Sequence, residues 1–244
     1  MARLLDWIPG LAIVARTPLT GPRSVGSSST ESLAGYVQTV ASPFGQWRYQ
    51  FTVRPMRGRL FRLYRGMITA LHAGANAVRV PWCDPDIMSW EESGVDATPE
   101  EIRAGVPWSN GASFSNGENW SVGRPWEGVG AAAAKGDTEV TLSADHWGGN
   151  LVGGEDIGFV PFHFGKYRVT EIIDQDDDSV TLRIWPPLAK ALATTDYVTL
   201  TPVSVMRLES EAAATASRGA RLADGNTLTM IEVTDDIVRS HFTE

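Results

Sequence analysis

Alternation of apolar and polar positions is the dominant pattern along this chain. Trp47-Arg-Tyr-Gln-Phe-Thr-Val53 alternates cleanly and predicts a half-buried strand, and Asn226-Thr-Leu-Thr-Met-Ile-Glu-Val233 repeats the pattern near the end. A strand pair is predicted over residues 165–173 and 179–185, bracketing an acidic turn. Pro186-Pro187 lack the N–H groups a ladder needs, so the second strand must stop at Trp185 or leave the sheet there. Further strands are predicted over 77–81, over 137–143 and over 196–201, the last closed by Pro202. Residues 11–20 suit a short strand closed by proline.

A period near 3.6 occurs in one place. Leu60, Tyr64, Met67, Ile68 and Leu71 recur at spacings of three and four, while Arg59, Arg62 and Arg65 lie mostly off that stripe. The pattern predicts an amphipathic helix over 58–73, packed on a sheet and ended near Gly74, with its arginines on a solvated face. The predicted fold class is mainly β, a β-sandwich or barrel-like architecture with that one helix.

Two stretches break the periodicity. Residues 21–32 are Gly- and Ser-rich and read as a mobile loop or arm. After a polar, irregular stretch from Asp84 to about Pro107, an aromatic recurs every six residues: Trp108-Ser-Asn-Gly, Phe114-Ser-Asn-Gly, Trp120-Ser-Val-Gly and a degenerate Trp126-Glu-Gly. Each Asn-Gly favours the positive backbone angles of a tight turn. Four units are too few for a solenoid. A long ordered loop is expected, its aromatics covering the sheet or a neighbouring subunit. Trp108, Phe114, Trp120 and Trp126 are therefore the candidate interface residues. The expected organisation is an N-terminal β-sandwich-like part with one helix (1–90), the aromatic and Gly-rich insertion (91–134) and a C-terminal β-rich part (135–244).

Composition narrows the function classes. The chain has 244 residues, 43% hydrophobic and 20% charged, with nine tryptophans; 21 Lys and Arg face 29 Asp and Glu, for a formal charge of -8. Such a chain lacks the basic footprint of a tight nucleic-acid binder, and in a ring of copies an acidic wall repels a passing polyanion. One cysteine, Cys83, excludes an intrachain disulfide framework and a cysteine-based zinc site. The apolar run from Leu4 to Val14 is broken by Asp6 and Pro9-Gly10, so neither a signal peptide nor a membrane span is expected, and synthesis in the cytoplasm is.

No constellation carries chemistry. Asp174, Asp176 and Asp178 alternate as at the start of a calcium loop, but its sixth and twelfth positions are Ser179 and Trp185 instead of Gly and Glu. An acidic hairpin tip is the expectation. His72, His146, His163 and His241 show no paired metal-ligand spacing, and Asp145-His146 has no nucleophile elbow to serve. The glycines of 148–154 lack the Lys-Ser/Thr ending of a phosphate loop. No enzyme activity, cofactor or metal is expected. Exposed tryptophans that stack on sugar rings are the alternative, making the chain a carbohydrate-binding, receptor-binding module.

In order, several segments resemble the distal-tail or minor-tail proteins of long-tailed bacteriophages. They are Gln46-Trp-Arg-Tyr-Gln-Phe-Thr-Val-Arg-Pro-Met56, the helix from Arg59 to His72, the strand reaching Pro81 with Asp84-Pro-Asp86, Leu151 with Gly153-Gly-Glu-Asp-Ile157, Tyr167-Arg-Val-Thr170, Ile184-Trp-Pro-Pro-Leu188 and Met206-Arg-Leu208. The aromatic hexad and Phe162-His-Phe164 depart from the family's pattern. The resemblance implies a structural virion component of the tail tip, made in the host cytoplasm and without membrane anchoring. Subunits would close into a homo-oligomeric, usually sixfold ring that joins the tail tube to the tip. The implied partners are the tail tube protein, the tape-measure protein and the hub or tip proteins, with DNA only passing through the lumen.

Overall fold

The structure, a computed structural model, describes residues 2–20, 24–25, 40–41, 45–82, 84–161 and 163–243. Most of the Ser-rich stretch at 21–32, Cys83 and Phe162 lie outside the described residues.

The protein is mainly β. A seven-stranded sheet contains β1 (Ala2–Asp6), β2 (Ile13–Thr20), β5 (Arg48–Val53), β6 (Ala77–Pro81), β13 (Val203–Leu208), β14 (Thr227–Glu232) and β15 (Phe242–Thr243). Its order is β15-β1-β6-β13-β14-β5-β2; β1 runs parallel to both neighbours and every other pair is antiparallel. A short separate ladder joins β3 (Ser24–Val25) to β4 (Val40–Ala41). The alternation in β5 and β14 is realised in full: Tyr49, Phe51 and Val53 are buried on one, Leu228, Met230 and Glu232 on the other.

Helix α1 (Gly58–Ala70) lies over this face through Phe61, Tyr64, Met67 and the following Leu71, all in the main core cluster. The expected stripe is rotated slightly: Phe61 is buried, while Leu60 and Ile68 are half-buried. Arg59, Arg62 and Arg65 are exposed, as a helix with one apolar face requires. The opposite sheet face holds Ala77 and Val205 beneath Val238 of α3 (Asp235–His241). Successive strand residues point to opposite faces, which is why Val78 and Met206 belong to one core and Ala77 and Val205 to another. Pro18, expected to close its strand, sits inside β2 opposite Tyr49. β2 is an end strand, where a residue without an N–H is tolerated.

A second sheet has the order β7-β12-β9-β10-β11-β8, built from β7 (Glu127–Gly128), β8 (Glu139–Ser143), β9 (Asp156–Val160), β10 (Tyr167–Gln175), β11 (Ser179–Trp185) and β12 (Tyr197–Thr199). Val129, just beyond β7, bridges Leu142 of β8, and Gly130 N–H donates to the Thr141 carbonyl at 2.8 Å. The two end strands therefore meet, and the sheet curls into a barrel around Leu142, Ile157, Phe159, Tyr167, Val169, Leu182 and Val198. β11 stops at Trp185, as the two prolines after it demand.

The sheets divide the chain differently from the expected boundaries. Residues 127–199 form the barrel, whereas 203–243 return to pair with the N-terminal strands. An alternating strand records that one of its faces is buried; it does not record which strand lies beside it. Hence 135–244 is not a single β-rich unit.

Candidate functional site

The excursion between β6 and β7 carries the aromatic hexad and is braced at several points. The Arg124 guanidinium lies 4.1 Å from the Trp90 ring centre and donates to the Met88 carbonyl at 3.0 Å. Asn150 Nδ2 reaches the Glu92 carbonyl at 2.8 Å. Helix α2 (Pro99–Ala104) begins with a capping box in which Thr98 and Glu101 satisfy each other's backbone N–H.

The hexad is a structural repeat over its first two units. Gly111 N–H donates to the Trp108 carbonyl and Trp108 N–H to the Ala112 carbonyl; Gly117, Phe114 and Glu118 repeat both bonds. Only the glycines take positive φ, 80° at Gly111 and 83° at Gly117. The asparagines act through their side chains instead: Asn110 Oδ1 accepts from Ala112 N–H and Asn116 Oδ1 from Glu118 N–H. The third unit has Val in place of Asn and makes no such turn; Trp120 exchanges two backbone bonds with Val106.

These turns gather three of the four candidate rings. Trp108, Phe114 and Trp120 meet edge to face, with centres 5.6, 5.4 and 4.9 Å apart. Trp126 stands elsewhere, tilted over Tyr197 of β12 at 5.9 Å. The cluster of three packs on itself and does not cover the sheet. Trp108 remains 47% exposed, Trp120 52% and Trp126 55%.

Glu127, which the repeat treats as a degenerate position, has a separate task. Its buried carboxylate accepts from Ser143 Oγ at 2.6 Å and from the N–H groups of Asp145, His146, Trp147 and Gly148 at 3.2, 3.1, 2.8 and 2.9 Å. Burial acts to raise its pKa, but those hydrogen bonds prevail and hold it below the usual carboxylate range. Asp145 and His146 thus serve this loop through their backbones.

A second constellation, which sequence reasoning missed, lies where barrel and sheet meet. Lys166, just before β10, is buried. Its Nζ donates to Tyr49 Oη and to Asp156 Oδ2, each at 2.8 Å. The ammonium lies 4.1, 4.9 and 4.4 Å from the ring centres of Trp47, Tyr49 and Trp82. Asp156 also takes two bonds from Arg168, at 2.8 and 3.0 Å. Trp47 Nε1 donates to the Lys166 carbonyl, Trp47 N–H to Glu232 Oε2, and Trp185 meets Trp47 edge to face at 4.5 Å. Burial lowers the Lys166 pKa to about 8 against the pull of Asp156. Burial likewise raises Glu232 to about 7, against the N–H groups of Trp47 and Lys166. Gly165-Lys-Tyr-Arg168 offers no sign in sequence that its lysine points inward, because its partners stand far away along the chain.

The remaining candidates are plainly placed. Asp176 Oδ1 caps the hairpin tip by accepting from Asp178 and Ser179 N–H. Among the described residues, no group of three or more His, Cys, Asp or Glu is arranged to hold a metal ion, and no helix is long and apolar enough to cross a membrane. His163 lies 2.6 Å from Tyr167 Oη, and burial lowers its pKa to about 4, so it stays neutral at pH 7.

Glu155 is the least satisfied carboxylate, with Oε2 buried and without a hydrogen-bond partner. Burial, and then Glu92, push its pKa from 4.5 up to about 7. Over that interval the folded state keeps a proton that the unfolded chain has released, so this group lowers stability as pH rises. Glu155→Gln is expected to stabilise the protein at pH 8 by about 1–2 kcal/mol. Urea unfolding at pH 5 and pH 8 checks it, since the gain should nearly vanish at the lower pH.

No protein-family model matches the chain, and no curated protein matches its sequence.

Proposed function

We propose that this protein is a structural subunit of a bacteriophage tail tip, closing with further copies into a ring that joins the tail tube to the hub or fibres. The observation that carries the reading is the exposed, self-packed cluster of Trp108, Phe114 and Trp120 on a braced excursion. Rigid aromatics held at the surface are the residue types that dominate protein interfaces. Edge-to-face contacts within the cluster engage the rings with one another, which suits a knob entering a partner's pocket better than a flat platform for a sugar. The seven-stranded sheet adds support: it ends in β2 and β15, and heterologous contacts between such edges close into a ring when their rotation allows. The ordered run of segments resembling distal-tail proteins names the setting. Residues of the junction and of the Glu127 loop hold the scaffold, and no turnover is assigned to them.

Trp126, exposed beside Tyr197, favours one second reading, a receptor-binding module that takes saccharides. Light scattering across concentration and salt, followed by negative-stain imaging, separates the two. Rings with a central hole are expected, alone or on tail tubes, and Trp108→Ala with Trp120→Ala should weaken assembly at least a hundredfold while leaving circular dichroism unchanged. A monomer that ignores tubes and binds glycans through Trp126 would replace the ring by the second reading.

A further inference from the structure

Beside the open edge of β2 lies a cleft of about 560 Å3, lined by Arg16, Tyr49, Trp82, Asp84, Lys166 and Arg168 among others. Two of its donors have nothing to bond. Arg16 Nε is buried without a partner, and so is Nε1 of Trp82, a residue only 5% exposed. The Arg16 guanidinium lies over the Trp82 ring at 5.8 Å, which brings the two together. Other polar groups of the cleft are committed: Tyr49 Oη accepts from Lys166, and Lys166 and Arg168 share Asp156. Counting Arg16, Lys166 and Arg168 against Asp84 and Asp156 leaves three cations and two carboxylates, a locally positive site on a chain of net charge -8.

The shape around these donors suits a chain. Among the described residues β2 pairs only with β5, so its other edge has backbone groups to offer. Val14, 63% exposed, stands on that strand. Pro18 lacks an N–H, which confines further ladder bonds to residues 13–17, the end where Arg16 stands.

We propose that the cleft is a carboxylate-binding subsite, in which Arg16 and Trp82 Nε1 hold the acidic side chain of an extended segment from another protein chain added along β2. Backbone bonds from the strand edge give such a segment its affinity, and the cleft selects its acidic residue. A carboxylate fits because two N–H donors converge where positive charge exceeds negative, and a guanidinium binds carboxylates with directional, charge-assisted bonds. The site does not depend on the tail-tip reading; its failure and that of the ring would show in separate measurements.

The test is titration calorimetry on the full-length protein, with tryptophan fluorescence as a second signal. The probes are the capped peptide acetyl-Val-Thr-Glu-Val-Thr-amide, its Gln counterpart, sodium acetate and inorganic phosphate. The Glu peptide is expected to bind at least tenfold tighter than the Gln peptide and than acetate. Arg16→Gln, on an end strand that tolerates it, should weaken binding at least tenfold. Trp82→Phe, which keeps a ring but removes the donor, should weaken it several-fold, and Asp84→Asn should tighten it. Equal affinity for the Glu and Gln peptides, no binding of either at millimolar concentration, or an unchanged Arg16→Gln would overturn the proposal. Phosphate bound more tightly than the Glu peptide would overturn it too, reassigning the cleft to phosphate-bearing ligands.

Discussion

Replacing Asp156 with Asn is expected to destabilise the protein by about 3–5 kcal/mol, because it strands the buried Lys166 ammonium without its counter-charge. The asymmetry of the pair makes this a sharp test. Arg168, half-buried, would still reach water, whereas Lys166, whose side chain is 0% exposed, would keep only Tyr49 Oη and three aromatic faces. Cation–π contacts of about 1–2 kcal/mol each soften that loss without replacing an ion pair. Lys166→Met should behave quite differently. It leaves Asp156 bonded twice to Arg168 and fills the aromatic cage with an unbranched apolar chain, so a change within about 1 kcal/mol is expected. Asp156→Asn combined with Lys166→Met should recover most of the loss, and a double-mutant cycle by urea unfolding measures the coupling. The pH dependence gives a second readout. Because the folded pKa of Lys166 is lowered from 10.5 to about 8, the folded state sheds its proton first. Stability from this group therefore rises with pH between about 8 and 10.5. Lys166→Met should lack that rise.

Glu127→Ala is the second large effect, with an expected loss of about 3–5 kcal/mol. Five donors converge on this carboxylate, and two of them, the N–H groups of Trp147 and Gly148, are buried. Without it they stay unbonded at roughly 1–3 kcal/mol each, and the loop that seats Trp147 in the barrel core loses its anchor. Gln should recover only part of this, since its amide offers one acceptor and turns a second donor on the remaining N–H groups. Near-UV circular dichroism and thermal unfolding would report both. Sign again follows from the pKa. Glu127 is depressed below 4.5 in the folded state, so its contribution is present above that value and is lost as pH falls through the folded pKa. The acid-unfolding midpoint of Glu127→Gln should therefore depend less steeply on pH than that of the wild type.

Both effects lie at residues whose roles the chain's periodicity hides. Residues near one another in sequence were legible: the alternation of β5 and β14, the β10–β11 hairpin with its Asx-capped tip, the stop at Pro186, and the one long amphipathic helix. The repeat of the Ser-Asn-Gly turns was legible too, because each turn closes within five residues. Even there the sequence misjudged the means, since asparagine contributes its side-chain oxygen and leaves the positive φ to glycine.

By itself, then, the sequence determined which segments are strands, which face of each is buried, where turns close and that most of its charge is acidic. These follow from local sterics and from the burial of apolar surface, which act over a few residues. Tertiary structure alone decided that β13, β14 and β15 return to the first sheet, that the second closes as a barrel, and that three of the hexad's rings meet while Trp126 goes to Tyr197. It also decided that Lys166 turns inward to Trp47, Tyr49, Trp82 and Asp156, because a charge is buried only where partners from distant segments converge to satisfy it.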